Sequence, residues 1–141
     1  MSDSVEQAKA SFERWNNAFN ARNRDGMVAE MHFPHRRLSG ANEFQVWPTA
    51  DDFWASSGDN LTASLKAEGW DHTTSTSVEA AQSGDDKVHL VINQSRRHAD
   101  GTEYNGFSTL WMFTRIDGRW GVQFRSSFLS NAAQTSGHAT D

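Results

Sequence analysis

The chain has 141 residues, no cysteine and a formal net charge of −5, with a pI near 5.6. That composition excludes disulfides, thiolate nucleophiles and cysteine-ligated metals, and its charge argues against a non-specific nucleic-acid binder, whose affinity comes from neutralising phosphates. The length suits one domain, no run approaches the roughly 20 apolar residues of a membrane span, and the start MSDSVEQAKASFERW lacks a basic and an apolar leader region, so a soluble cytoplasmic protein is expected.

Val5, Ala8, Phe12, Trp15 and Phe19 recur at spacings of three and four, which predicts an amphipathic helix over about residues 4–22. Met27, Val28 and Met31 predict a short second helix that must end before Pro34. PHRRLSG and EFQVW read as two short strands around Gly40-Ala41-Asn42. Thr49 with Asp52 resembles a capping box, and Phe53, Ser57, Leu61 and Leu65 continue at helical spacing to a Gly69 cap, with Gly58 weakening the middle. From His72 the composition turns to Thr, Ser, Val and aromatics. Turns at residues 83–86, Asp100-Gly101 and Asp117-Gly118 predict four long strands joined as hairpins. The domain is expected to span residues 1–129. Residues 130–141, SNAAQTSGHATD, lack periodicity and are expected to be disordered.

The hairpins also predict faces. A two-residue turn at Asp117-Gly118 sets Ile116 opposite Arg119 and, with regular alternation, pairs Phe113 with Val122, Trp111 with Phe124, Thr109 with Ser126 and Phe107 with Phe128. The same rule at Asp100-Gly101 brings Val88, Leu90, Ile92 and Gln94 alongside Phe113, Trp111, Thr109 and Phe107. Phe107, Trp111, Phe113, Phe124 and Phe128 are thus expected to face inward. The opposite face carries His89, Val91, Leu110, Met112, Gln123 and Arg125, a half-apolar surface suited to a partner. A single bulge would exchange the faces beyond it.

The order of helix, short helix, HFPHRRLSG strand, third helix and closing meander TRIDGRWGVQFRSSF resembles the nuclear-transport-factor-2-like superfamily. Its local features here are Phe33, Pro34, His35, Arg37 and Leu38, then Arg97, Ala99, Asp100 and Gly101, then DGRWG followed by RSSF. The resemblance is to the SnoaL-like branch. It implies an α+β, cystatin-like cone: a curved mixed sheet wrapped on the N-terminal helices around a ligand-sized cavity, with homodimerisation through the outer sheet face. The same cone hosts isomerases, cyclases, dehydratases, epoxide hydrolases and silent binders.

Against those activities, the carboxylate base of an isomerase would fall near Ser39 or Gly40, where none stands, and the one tyrosine, Tyr104, lies by a turn. A dehydratase would draw on His32, His35, His72 or His89. His32 and His35 form an HxxH broken by Pro34 with no placed carboxylate, so no metal is expected. Glu79 is the one carboxylate that a two-residue Gly84-Asp85 turn would bring inward; an exposed position is expected instead. His35 and Arg37 share one side of the first strand and are the first catalytic candidates, Arg37 fixing an oxyanion and His35 moving a proton, the favoured alternative being a surface or interface arginine with a hydrogen-bonded histidine. Trp15, Phe19, Trp47, Trp54, Phe107, Trp111, Phe113 and Phe124 are the candidate lining of a pocket for a small hydrophobic or aromatic molecule, with core packing the favoured alternative for Trp15, Trp47, Trp54 and Trp111. The expected function is a cofactor-free ligand-binding domain, either an acid/base isomerase, cyclase or dehydratase, or a non-catalytic binding or dimerisation module.

Overall fold

The computed structural model describes residues 2–129; the C-terminal stretch expected to be disordered lies outside the described residues. Four helices precede a meander. They are α1 (Ser2–Asn20), α2 (Arg24–Val28), α3 (Ala50–Ser57) and α4 (Asp59–Ala67), with the strand pair β1 (Met31–Leu38) and β2 (Phe44–Trp47) between α2 and α3. The meander comprises β3 (His72–Ser83), β4 (Lys87–Arg97), β5 (Glu103–Ile116) and β6 (Arg119–Ser127). One six-stranded sheet runs in the order β2-β1-β6-β5-β4-β3. β1 pairs with β6 in parallel and every other pair is antiparallel. The α+β class is as expected.

Local chemistry accounts for the boundaries. Thr49 and Asp52 form a reciprocal capping box at the start of α3, satisfying donors that the first helical turn leaves open. The predicted weakness at Gly58 is a true break between α3 and α4, and a Cβ there would meet the Trp54 carbonyl oxygen at 2.6 Å. Past α4, Gly69 takes φ +86. Its N–H reaches the Lys66 carbonyl and that of Trp70 the Leu65 carbonyl, the paired bonds of a glycine-terminated helix end.

The apolar stripe of α1 lies on the concave face of the sheet. Ala8, Phe12, Trp15, Ala18 and Phe19 are buried there with Val88, Leu90, Ile92, Trp111, Phe113 and Val122. Trp111 is the hub, with Phe12 and Trp15 edge-on to it at 5.0 and 4.8 Å between ring centroids, an arrangement that adds to simple burial.

The β4–β5 register is the predicted one as far as Arg96–Asn105, with Val88, Leu90, Ile92 and Gln94 beside Phe113, Trp111, Thr109 and Phe107, but a shift to Arg97–Glu103 makes the connection through Asp100-Gly101 longer than the two-residue turn expected. β6 departs from prediction. Ile116 opposes Arg119 and Phe113 opposes Val122 as expected, but the next pair is Met112 with Phe124, so Gln123 is an extra residue in the strand. This bulge exchanges the faces beyond it. Trp111 therefore opposes Arg125, and Thr109 opposes Ser127. Two expectations are corrected on that ground. Phe124, expected inside, lies on the outer face beside Phe44. Arg125, expected at an outer interface, is buried at 2% exposure. Phe128, also expected inside, is 79% exposed. Glu79 is exposed.

Candidate functional site

β1 alternates so that His35 and Arg37 both point to the concave side, and both are buried. Trp47 enters from β2, pairing with His35 across the ladder; its ring stacks on the imidazole at 5.8 Å. Trp15 comes from α1 and Trp111 from β5. The bulge at Gln123 adds Arg125, whose guanidinium carbon lies 5.5 Å from the Trp111 ring and 5.9 Å from those of Trp15 and Trp47. A guanidinium surrounded by indole rings gains cation–π attraction that is strongest where water is excluded.

The protonation state of His35 follows from its neighbours. Arg125 Nε donates to His35 Nε2 at 2.9 Å. A guanidinium N–H can only donate, so Nε2 carries the lone pair and the ring proton sits on Nδ1, 3.2 Å from the Val122 carbonyl oxygen. Burial first, then the Arg125 and Arg37 charges, push the His35 pKa well below its ordinary value, against the Val122 bond. His35 is thus a neutral ring with both nitrogens engaged, in the manner of the hydrogen-bonded histidine that is the alternative to a proton carrier. Arg37 donates to Gln45 Oε1 at 2.8 Å and to the Leu129 carbonyl at 3.3 Å.

Further along the same face, Gln94 and Arg96 follow on β4, with Arg96 5.6 Å from the Phe107 ring centroid. Tyr104 donates to Glu68 at 2.7 Å; burial and then that carboxylate raise its pKa. Arg22 reaches the α3–α4 break, donating to the Ser57 carbonyl and the Thr62 hydroxyl. Burial and the Arg96 charge lower its pKa to about 10. Arginine charges thus act at both His35 and Arg22, in addition to burial. No Asp or Glu stands among the buried described residues.

Three buried N–H donors on this face have no hydrogen-bond partner: Trp15 Nε1, Trp111 Nε1 and the Gln94 amide nitrogen Nε2. Leaving such a group unsatisfied costs about 1–3 kcal/mol each, so each is a position where an acceptor would be welcome.

Of the expected pocket residues, Trp15, Phe19, Trp47, Phe107, Trp111 and Phe113 are buried. Trp54 is half-buried with its ring 5.8 Å from the Arg22 guanidinium, and Phe124 is outside. His89, Val91, Leu110, Met112 and Gln123 keep to the outer face, without Arg125. His32 is buried away from His35, between the Arg119 carbonyl and guanidinium. No cluster of three or more metal-ligating side chains exists among the described residues. The hairpin arithmetic places Gln94 inward without a role, and it misses the inward turn of Arg125. The one sequence signal for that turn is that neither alternation of VQFRSSF is wholly apolar.

No described helix is long and apolar enough to cross a membrane. No curated protein matches the sequence. Solved structures do match by fold. A protein of unknown function with a cystatin-like fold from Nostoc punctiforme gives a TM-score of 0.71 at 9% identity, over 90% of this chain and 91% of that one. An NTF2-like protein with a cystatin-like fold from Novosphingobium aromaticivorans gives 0.68 at 14% identity, over 89% and 80%. Aln2 from a Streptomyces species gives 0.68 at 11% identity, over 90% and 91%. At those identities the likeness is one of fold. A family model, NTF2-like protein (DUF6841), matches residues 5–124, which run from the first turn of α1 to just past the bulge in β6, and the chain belongs to that family.

Proposed function

We propose that the chain is a small-molecule-binding domain whose cone interior takes a compact aromatic or otherwise apolar ligand bearing an acceptor oxygen. The observation that carries this reading is the trio of unpartnered donors, Trp15 Nε1, Trp111 Nε1 and Gln94 Nε2. Acceptor oxygens would supply the missing bonds, and indole rings suit an apolar body. The buried guanidinium groups of Arg37, Arg96 and Arg125 favour an anionic oxygen, such as a carboxylate or enolate, over a neutral carbonyl. Among SnoaL-like activities, proton shuttling by an isomerase, cyclase or dehydratase needs a base. The buried described residues include no carboxylate, and His35 has no uncommitted nitrogen. Recognition of an oxyanion is therefore favoured over turnover.

The test is native mass spectrometry of the protein as purified, followed by tryptophan-fluorescence titration with a panel of aromatic carboxylates. Saturable quenching is expected, weakened about fivefold to tenfold in Trp111→Phe, which keeps a ring and loses the N–H. Quenching that is equal in wild type and in both Trp111→Phe and Gln94→Leu would overturn the reading.

The outer sheet face supports a second element of the proposal, a homodimer. Val91 is 38% exposed and Phe44 66%, with half-buried Leu110, Met112 and Phe124 between them, an apolar surface of the kind that a second copy covers. Leu110→Glu with Met112→Glu should give a monomer by light scattering; an unchanged mass would remove this face from consideration.

A further inference from the structure

A cavity lies along α1 beside the buried aromatic stripe, between that helix and the edge strand β3. It holds about 450 Å³, within the range of small-ligand sites. Its walls are amides and hydroxyls, Asn16, Asn17, Asn20, Thr73, Thr74 and Ser75, with Lys9 and Glu13 at one side and Phe12 and Val78 as an apolar patch. The single Lys and single Glu cancel, so the lining has no net charge.

Two polar atoms in this lining are buried without hydrogen-bond partners, Asn16 Oδ1 and Ser75 Oγ. Asn16 cannot gain by exchanging its amide atoms, because its Nδ2 donates to the Thr73 carbonyl at 3.1 Å. The first atom thus needs a donor, and the second takes either role. A hydroxyl group can serve both.

An added peptide strand fits poorly. Asn20 binds both the Thr73 N–H and carbonyl, at 2.8 and 2.9 Å, and Asn16 shares that carbonyl, so side chains already occupy the edge there. The ladder then shifts register between Ser75 and Ser77, which breaks the regular repeat that strand addition requires.

We propose that the α1–β3 groove binds a neutral polyhydroxylated ligand of mono- or disaccharide size, its hydroxyls bonding Asn16 and Ser75 and its C–H face resting on Phe12 and Val78. This site shares Phe12 with the packing of the cone interior but uses different polar groups.

The experiment is a ¹⁵N–¹H correlation titration of the full chain with methyl β-glucoside and with maltose, and with glycine betaine as a zwitterion. Either sugar should give saturable shifts, in the millimolar range, confined to residues 13–20 and 73–78. Ser75→Ala removes a hydroxyl that makes no hydrogen bond in the fold, so it should keep the wild-type Tm while weakening sugar binding about threefold to tenfold. Lys9→Met should leave sugar binding within about twofold, because a neutral ligand draws little on charge. The proposal fails if neither sugar shifts the groove, if betaine does so in their place, or if Ser75→Ala binds as wild type. Tryptophan quenching by aromatic carboxylates should be unchanged in Ser75→Ala, so the two sites fail or survive separately.

Discussion

Strands β4 and β5 hold one register from Lys87–Thr114 to Arg96–Asn105, whereas β6 changes face halfway along its length. In the first region each inner position of β4 up to Ile92 is apolar, and alternation alone orders the sheet. In the second, hydrophobicity favours turning Phe124 and Phe128 inward. The fold instead turns in Arg125 and Ser127 and buries Leu129 beside Phe107. A buried arginine is tolerated only where hydrogen bonds and aromatic faces replace water. His35 Nε2 and three indoles do so here. The contrast separates a strand built to pack from one built to present a polar group, and each can be broken independently.

The largest effect should come from a single-residue deletion. Removing Val91 would shift every β4 residue on one side of it to the opposite face, and no cooperative thermal transition should remain. Val91→Ser, which keeps the register at a position 38% exposed, should stay within about 1 kcal/mol of wild type. Removing Gln123 is the counterpart. The pairs Met112–Phe124 and Trp111–Arg125 survive on their present faces, so the protein should still fold, losing on the order of 1–2 kcal/mol with the Thr114–Gln123 hydrogen bond. Unfolding monitored by circular dichroism decides both. Equal damage from the two deletions would mean that the bulge is as indispensable as the regular ladder.

Next in size is Trp111→Ala, at the centre of the aromatic core, with an expected cost of about 3–5 kcal/mol in denaturant unfolding. A cost below about 1 kcal/mol would show that the interior is loosely filled.

His35 gives a smaller effect with a definite sign. Its pKa is depressed in the folded chain from an ordinary value of 6.5, so below about pH 6.5 the unfolded chain binds a proton that the folded chain refuses. Stability is then fully present above that pH and falls as pH drops toward the folded value, by at most about 1.4 kcal/mol per pH unit. His35→Gln, which can still accept from Arg125 and donate to Val122, should flatten the part of this slope due to residue 35, leaving what His32 and His89 contribute through their own lowered values. Identical slopes between about pH 5 and 7 would count against a buried neutral His35.

Much of this was legible from residues alone, for physical reasons. The α1 stripe, the Thr49–Asp52 box, the Gly58 break and the Asp-Gly turns are local signals, written within a few residues of where they act. The bulge is not local. Gln123 is extruded because β6 must meet β5 on one side and β1 on the other, and the β1 ladder itself shifts between Met31 and Arg36. The partners that make burial of Arg125 tolerable lie far away in sequence, at Trp15, His35, Trp47 and Trp111. The candidate site was therefore readable as a set of aromatics with His35 and Arg37, but its central cation and the role of His35 emerged only with the tertiary structure.

The smallest expected effect sharpens the comparison most. Had β6 been regular, Phe124 would oppose Trp111 in the core, and Phe124→Ala would cost about as much as other buried Phe truncations, roughly 3–5 kcal/mol. On the outer face it is half-buried, with Phe44 its ring neighbour at 6.3 Å, and the chain should lose only about 1 kcal/mol or less in dilute solution. If a second copy covers this face, the same substitution should weaken association, so that its cost grows with protein concentration while that of Trp111→Ala contains no such added term. A large, concentration-independent loss from Phe124→Ala would place this ring in the core and return β6 to unbroken alternation.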